Sequence, residues 1–582
     1  MAVTSPFRTH YALETVSEEG NQVKLAGWVA HRRDHGGVTF LDLRDSTGLV
    51  QIVVDPAQIP LVTDLRLEAC ISVQGEVRPR PPGTVNQDLT TGTVEVAASE
   101  LVVLGAADPL PFMLDERTDV DERLRLEYRY LDLRRSRPAA NLRARSRANA
   151  AIRRTLDELG FLEVETPTLI RSTPEGARDM LVPSRLRPGS FYALPQSPQL
   201  FKQLLMMAGV ERYFQIARCY RDEDFRADRQ LEFTQLDLEG AFWDEAGVQA
   251  AIEATICAVV RELRGVDPAS PFPRLTWQES MDRYGVDKPD IRFGMEIVDL
   301  TDLLSGSEFR GFSAAAAGGG VIRGINVGPR QLPRSAADQL VEEAKRLGAG
   351  GLVWMVTEVE GLRSPVTKFL SAEELAGIRQ RLAAQTGDVI LLVADTWRRA
   401  VEVLGALRIQ LGKPRGHEDL AFLWVTNFPM FEESEDGLTF LHHPFTAPED
   451  VELMAAKPTD ALSRAYDVVV NGVELGSGSI RIHDPFVQAK VFEILGIGPE
   501  EQESRFGWFL RALRYGTPPH GGFAFGVDRL VMVLQDEANI REVIPFPKTQ
   551  TGFDPLTGSP TLVAPGQLAE LGIEVVEAEE DG

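Results

Sequence analysis

Residues 214–239 read FQIARCYRDEDFRADRQLEFTQLDLE, two strand-like runs around a loop rich in both signs of charge. Arg221 and Glu223 lie two apart, so an extended chain places them on one face. An arginine there can bind a phosphate through two parallel hydrogen bonds. The glutamate can accept from an adenine amino group, and Phe233 can stack on the base. A solvated charged hairpin fits the same spacing, and this stretch alone leaves both open.

Downstream, 521–530 read GGFAFGVDRL. Glycines and small residues let backbone approach a ligand, and Arg529 stands at the start of an apolar helix, Leu530 to Leu534. Arg221 and Arg529, brought together, would clamp a polyphosphate from both ends and stabilise charge developing on its α-phosphate. A glycine-rich turn before a core helix is the plainer alternative. Between these stretches, 473–482 read VELGSGSIRI. Glu474, with Asp467 upstream, offers oxygen ligands for Mg²⁺, although acid pairs are common on surfaces. The chain has no G-x-x-x-x-G-K-[ST] and no G-x-G-x-x-G after a strand, so neither a P-loop nor a dinucleotide-type site is expected.

The chain has 582 residues, enough for several hydrophobic cores. Its net charge of -25 speaks against nucleic acid as a partner. The charge is unevenly spread, however. Arginines crowd 117–154 and recur at Arg32 and Arg33, while acids gather near the C-terminus, so a basic face on an acidic protein is allowed. The three cysteines form no C-x-x-C pair, and neither zinc nor a disulfide framework is expected. The first residues lack the pattern of a signal peptide, and no apolar stretch is long enough to span a bilayer. A reducing cytoplasm follows as the expected compartment.

Residues 22–105 read as short strands separated by turns such as Asp45-Ser46-Thr47-Gly48, which suggests a small barrel. Pro109 and Pro111 begin a linker. A helix reads from Asn141, with Leu142, Ile152, Leu156 and Leu159 on one face and Gly160 as its cap, followed by a strand from Phe161 to Thr166 broken at Pro167. A different texture, rich in small residues, starts near Asp287, and motifs of the earlier kind resume at Phe422, so the region between reads as an insertion.

In chain order the charged segments resemble motifs 2 and 3 of class II aminoacyl-tRNA synthetases, with 161–167 similar to motif 1. STPEGARD (172–179), QSPQLFKQ (196–203), HHPFT (442–446) and GSIRIHD (478–484) narrow the resemblance to the bacterial-type aspartyl-tRNA synthetases, over nearly the whole chain. It implies an α+β multidomain architecture: an OB-fold barrel for anticodon binding over 1–108, a hinge over 109–140, an antiparallel-sheet catalytic domain in two parts over 141–285 and 419–555, an inserted α+β domain over 286–418, and a C-terminal extension over 556–582. It implies ATP as substrate with Mg²⁺, L-aspartate, tRNA(Asp), a homodimer formed through motif 1, and no membrane.

By the same resemblance Arg221 binds the α-phosphate and the aspartate carboxylate, Glu223 the adenine, and Arg529 the γ-phosphate; these are the catalytic candidates. Phe233 stacks on the adenine, and Gln230, Glu474, Gly526, Val527 and Asp528 complete the ATP site. Glu175, Ser197 and Gln199 lie near the substrate amino group. Lys202 and Arg481 hold its side-chain carboxylate, Asp237 tunes the charge, and His442, beside His443, senses the bound substrate. Asp467 and Glu474 are the metal candidates. Aspartate and asparagine are nearly isosteric, and the expected basis for separating them is that asparagine would leave Lys202 and Arg481 without an anionic partner. In the barrel, Arg33, Phe40, Gln51 and Glu95 fall where the family reads anticodon bases. Phe40 as a core aromatic is the alternative.

The chain departs from the family pattern at Leu231, where proline is usual, and at Ser477, where glycine is common. His35 and Gly83 resemble members of the family that also charge tRNA(Asn), which would imply an amidotransferase downstream; a strict tRNA(Asp) enzyme is the alternative. A non-catalytic RNA-binding relative would be expected to lack Arg221, Glu223 or Arg529, and all three are present.

Overall fold

The structure is a computed structural model that describes residues 5–115, 117–172, 177–223, 226–412, 419–434 and 437–576. Glu175, expected near the substrate amino group, lies outside the described residues. The chain divides into two compact units, Met1–Arg137 and Pro138–Gly582.

The first unit holds the expected barrel. Strands Gln22–His35, Val38–Arg44, Leu49–Val54, Val94–Gly105 and Cys70–Pro79 pair in that order, and the last closes on the first. The alternation that made Gln22–His35 legible turns Val23, Leu25 and Val29 inward. Leu41, Leu43, Val50, Ile52, Val73 and Val96 meet them in one core. Phe40 is half-buried and stands outside that core. Opposite-facing residues on the same strands are left to carry polar groups.

The second unit is built on an eight-stranded sheet. Its strands run in the order Arg274–Thr276, Phe422–Thr426, Ala465–Val470, Val473–Ile480, His520–Gly526, Glu232–Ala241, Arg212–Tyr220 and Leu162–Glu163. The two edge strands are parallel to their neighbours and all other pairs are antiparallel. One sheet face packs on helices Ser136–Glu158, Glu245–Arg264 and Val527–Leu534, with Leu236, Leu238, Trp424, Phe523 and Phe525 in the shared core. The other face is left for chemistry.

The helix expected from Asn141 begins at Ser136. Its apolar pattern starts late because Pro138 and the arginines fill the first turns, where proline costs no helical hydrogen bond. Its buried side carries Ala144, Ala148 and Ala151, with Ile152 and Leu156 toward its end. Gly160, at φ +77°, ends it in the left-handed conformation that glycine tolerates best. The strand expected over 161–166 shrinks to Leu162–Glu163. Val164 N still donates to Phe214 O, but Thr166 turns its N–H and hydroxyl to the Gln215 side chain, and Pro167 has no N–H to pair.

Between the two stretches of the main sheet lies a second sheet, ordered Val298–Asp299, Val321–Pro329, Asp388–Asp395, Val353–Glu358 and Gly361–Arg363. The run DVILLVAD is apolar without alternation because both its faces are covered. Val389, Leu391 and Val393 join one core, with the Trp397–Leu411 helix; Ile390 and Leu392 join another, with Leu300, Phe312 and Ile378. Among the described residues, no helix is long and apolar enough to cross a membrane.

Candidate active site

A cavity of about 1750 Å³ opens on the free face of the main sheet. Asp237 lines it, and Glu239 lies on the same side of the same strand for a local reason: in QLDLE, side chains two apart share a face, while Leu236 and Leu238 point into the core. Arg481 follows the Val473–Ile480 strand, and its N–H donates to His520 O at 2.9 Å. Lys202 comes from the helix Gln199–Met207.

These four side chains, none more than 2% exposed, form one ionic cluster. Lys202 Nζ donates to Asp237 Oδ1 at 2.8 Å and lies 3.4 Å from Glu239 Oε2. Arg481 donates from Nε and Nη2 to the two Glu239 oxygens at 2.9 and 3.2 Å. Its Nη1 reaches Ser479 Oγ and His443 Nε2, each at 2.6 Å. Burial alone would raise the Glu239 carboxyl, but Arg481 and Lys202 reverse this and hold it below the usual range. Gly522 makes room for it: a Cβ there would lie 1.8 Å from Glu239 Oε2.

This geometry corrects one expectation. Lys202 and Arg481 already have anionic partners in Asp237 and Glu239, so asparagine would not strip them of one. What the cations keep is directionality: lysine and arginine side chains are donors only. A carboxylate facing them accepts; an asparagine amide nitrogen would set donor against donor.

Both histidines of 442–443 are neutral near pH 7. Burial pushes His442 down to about 4, helped by the charge of Arg481. The same causes hold His443 well below its ordinary value. His442 packs edge-on against Phe428, and its Nδ1 lies 3.3 Å from the hydroxyl of Ser477, the residue that departs from the family's glycine. His442 Nε2 is buried without a partner among the described residues, as are Gln199 Nε2 and Asp237 Oδ2. Three such groups lining one cavity are what a polar ligand would satisfy. Ser197 lines it too, its Oγ accepting from Gln199 N at 3.3 Å.

The nucleotide candidates share the cavity wall: Arg221, Glu223, Gln230, Phe233, Glu474, Gly526, Asp528 and Arg529. The Arg221 guanidinium lies over the Phe233 ring at 5.2 Å and 3.8 Å from Glu223, which accepts from Arg229 at 2.9 Å. Arg529 donates to Glu474 O at 2.6 Å and to Asp228 at 3.2 Å. Three residues do other work than expected. The Val527 side chain belongs to the core, because the helix starts at Val527 and turns that residue inward. Gln230 clamps Lys548 through both ends of its amide, donating to the carbonyl at 3.0 Å and accepting from the N–H at 2.9 Å. Asp528 borders the cavity, but its carboxylate is taken by Thr234 N at 2.7 Å and by Arg145.

Asp467 and Glu474 sit on paired strands at a bulge. Burial and the neighbouring charge of Glu474 push the Asp467 carboxyl well above its usual range, and its Oδ1 has no partner among the described residues. Among these residues no cluster of three or more metal-ligating side chains occurs. Two carboxylates suit Mg²⁺, which commonly takes one or two from protein and the rest from phosphate and water.

On the barrel, the four anticodon candidates lie along a polar row. Arg33 donates to Asp42 at 2.8 Å, with His31 3.3 Å from the same carboxylate; Gln51 and Arg78 each donate to Glu95 at 2.9 Å. His35 is exposed at the end of its strand. Gly83, at φ +84°, sits in the turn closed by Thr84 N to Pro81 O. Sequence reading missed Glu239, Ser479 and Arg78. Glu239 was within reach, since the two-residue spacing that paired Arg221 with Glu223 also pairs it with Asp237.

The main sheet, with Arg221 in the loop after the Arg212–Tyr220 strand and Arg529 in the helix after the His520–Gly526 strand, and the barrel that precedes it in the chain each match a known family. Residues 121–550 match the model of the class II tRNA synthetases (D, K and N), and residues 23–104 match that of the OB-fold nucleic acid binding domain. The chain belongs to the class II tRNA synthetases. It is 53% identical over 569 residues to an aspartate–tRNA(Asp/Asn) ligase of Moorella thermoacetica, covering 96% of this chain and 95% of that one. It is 51% identical to a ligase of the same name from Salinispora arenicola, covering 97% and 96%. In fold it resembles the asparaginyl-tRNA synthetase of Pyrococcus horikoshii, with a TM-score of 0.59 at 20% identity over 93% of this chain and 98% of that one.

Proposed function

We propose that the protein activates L-aspartate with ATP and transfers it to the 3′ end of tRNA(Asp) and also of tRNA(Asn). The observation that carries the reading is the buried Lys202–Asp237–Glu239–Arg481 cluster, of which Lys202, Asp237 and Arg481 line one cavity with Arg221 and Arg529. Its donors suit a side-chain carboxylate. Asp237 Oδ2, Gln199 Nε2 and His442 Nε2 remain for the ammonium and carboxylate of the amino acid. Full-length likeness to the Asp/Asn ligases supports the same substrates.

In this reading the aspartate α-carboxylate attacks the α-phosphate and pyrophosphate leaves, and a terminal ribose hydroxyl of the tRNA then attacks the carbonyl of the aspartyl-adenylate and displaces AMP. No protein nucleophile is needed. Arg221 neutralises charge on the α-phosphate, Arg529 holds the far phosphates, and Glu223 and Phe233 hold the adenine, so catalysis is positioning and charge stabilisation. Asp467 and Glu474 would hold Mg²⁺, whose charge screens the polyphosphate. Arg33, Phe40, Gln51 and Glu95 would read the anticodon, with His35 and Gly83 relaxing the choice between the two tRNAs. The working form is a homodimer in the cytoplasm, and Asp-tRNA(Asn) passes to an amidotransferase.

Charging of separate tRNA(Asp) and tRNA(Asn) transcripts with labelled aspartate tests this. Comparable charging of both is expected. Charging of tRNA(Asp) alone would overturn the relaxed part of the reading; charging of neither, without aspartate-dependent pyrophosphate exchange, would overturn the whole.

A further inference from the structure

We propose that Arg145 is a positioning residue for ATP, acting through Asp528 on Arg529 and through Thr234 on Phe233. The proposal rests on the nucleotide-binding roles given above to Arg529 and Phe233.

Arg145 lies in the long Ser136–Glu158 helix, it is not among the residues that line the cavity, and its side chain is largely buried. Its guanidinium is used as a fork. Nη1 is paired with the Asp528 carboxylate, and Nη2 donates to Thr234 Oγ1 at 2.8 Å. Asp528 and Thr234 are themselves joined, because Thr234 N donates to Asp528 Oδ2 at 2.7 Å. Arg218 adds a second donor to Thr234 Oγ1 at 3.1 Å. Three elements far apart in sequence therefore meet in one knot: the long helix, the Glu232–Ala241 strand and the first turn of Val527–Leu534.

The knot sits one residue from each of two nucleotide groups. Asp528 precedes Arg529, and Thr234 follows Phe233. Asp528 is 1% exposed, so its carboxylate depends on the partners it has. A planar guanidinium serves a carboxylate and a hydroxyl at once, whereas an ammonium offers a point charge to one of them. Without Arg145 the buried Asp528 charge keeps a backbone N–H alone and has reason to move, carrying the first helical turn and Arg529 with it. The aspartate cluster hangs from other anchors, Lys202 and Arg481, and should be spared.

The test is pyrophosphate exchange with ATP and aspartate varied in turn, in Arg145→Met, Arg145→Lys, Asp528→Asn and the Arg145→Met, Asp528→Asn double variant, with thermal melting as a check of folding. Arg145→Met should raise KM for ATP about tenfold and leave KM for aspartate within twofold. Arg145→Lys should fall between it and the wild type. Because both residues act in one knot, the double variant should be no worse than the poorer single one. An unchanged KM for ATP in a folded Arg145 variant, equal rises in both KM values, or fully additive effects would each overturn the proposal. Should Arg145→Met not fold, Arg145→Lys carries the same criterion. A wild-type protein without aspartate-dependent exchange would overturn the functional reading instead. Direct binding of labelled ATP to wild type and Arg145→Lys would then decide the role of Arg145, with unequal affinities expected and equal ones overturning it.

Discussion

Glu239→Gln removes one charge from the ionic cluster while keeping its volume. Glu239 is fully buried, accepts two hydrogen bonds from Arg481 at 2.9 and 3.2 Å, and lies 3.4 Å from Lys202 Nζ. At that separation and an effective dielectric of about 20, one ion contact has a gross attraction of roughly 5 kcal/mol. Much of this offsets desolvation. The net cost of neutralising one partner in a buried pair is about 3–5 kcal/mol, because the remaining charge stays buried. Glutamine also turns an amide N–H toward donors. In the variant two cations share Asp237, Arg481 loses the carboxylate that fixes its plane, and the donor that the substrate carboxylate meets is no longer held in place. Part of the cost appears as lower stability and part as weaker handling of aspartate. We expect kcat/KM for aspartate in pyrophosphate exchange to fall about 100-fold, equivalent to ~2.7 kcal/mol, with KM for ATP within twofold. A folded Glu239→Gln protein with wild-type aspartate kinetics would refute the reasoning.

Because His442 titrates near 4 when folded and near 6.5 when unfolded, the unfolded chain binds the extra proton between those values. Its contribution is fully present above 6.5 and is lost as pH falls toward 4, by ~3 kcal/mol in all; urea midpoints should fall less steeply over that window in His442→Asn, and parallel curves would contradict this. Phe40→Ala should lower charging of both tRNAs about 5- to 150-fold, from ~1–3 kcal/mol of lost base stacking, and leave pyrophosphate exchange unaffected; a matching loss in both reactions would show that Phe40 merely supports the fold.

Much of the fold was legible because its signals are local. Alternation marked the Gln22–His35 strand, and the 214–239 stretch showed two strands around a charged loop. The misread boundaries have local causes as well: Pro138 and arginines hid the first turns of a helix, and Thr166 exchanged a strand partner for the Gln215 side chain. The site was legible in its ligand-facing charges and less so in what supports them. Asp528 and Gln230 carry the residue types of a nucleotide site, yet the structure gives their polar atoms to Arg145, Thr234 and Lys548.

By itself the sequence determined which side chains share a face, since a period of two residues needs no knowledge of the rest of the chain. It thereby placed Asp237 with Glu239 and both opposite Leu236 and Leu238. Only the tertiary structure decided that Glu239 pairs with Arg481, 242 positions away. That contact exists because the Glu232–Ala241 and Val473–Ile480 strands flank the same His520–Gly526 strand, and because Gly522 in that strand leaves the space a Cβ would fill. Strand order is set by how whole elements bury their apolar faces together, and no local pattern records which strand comes to lie between two others.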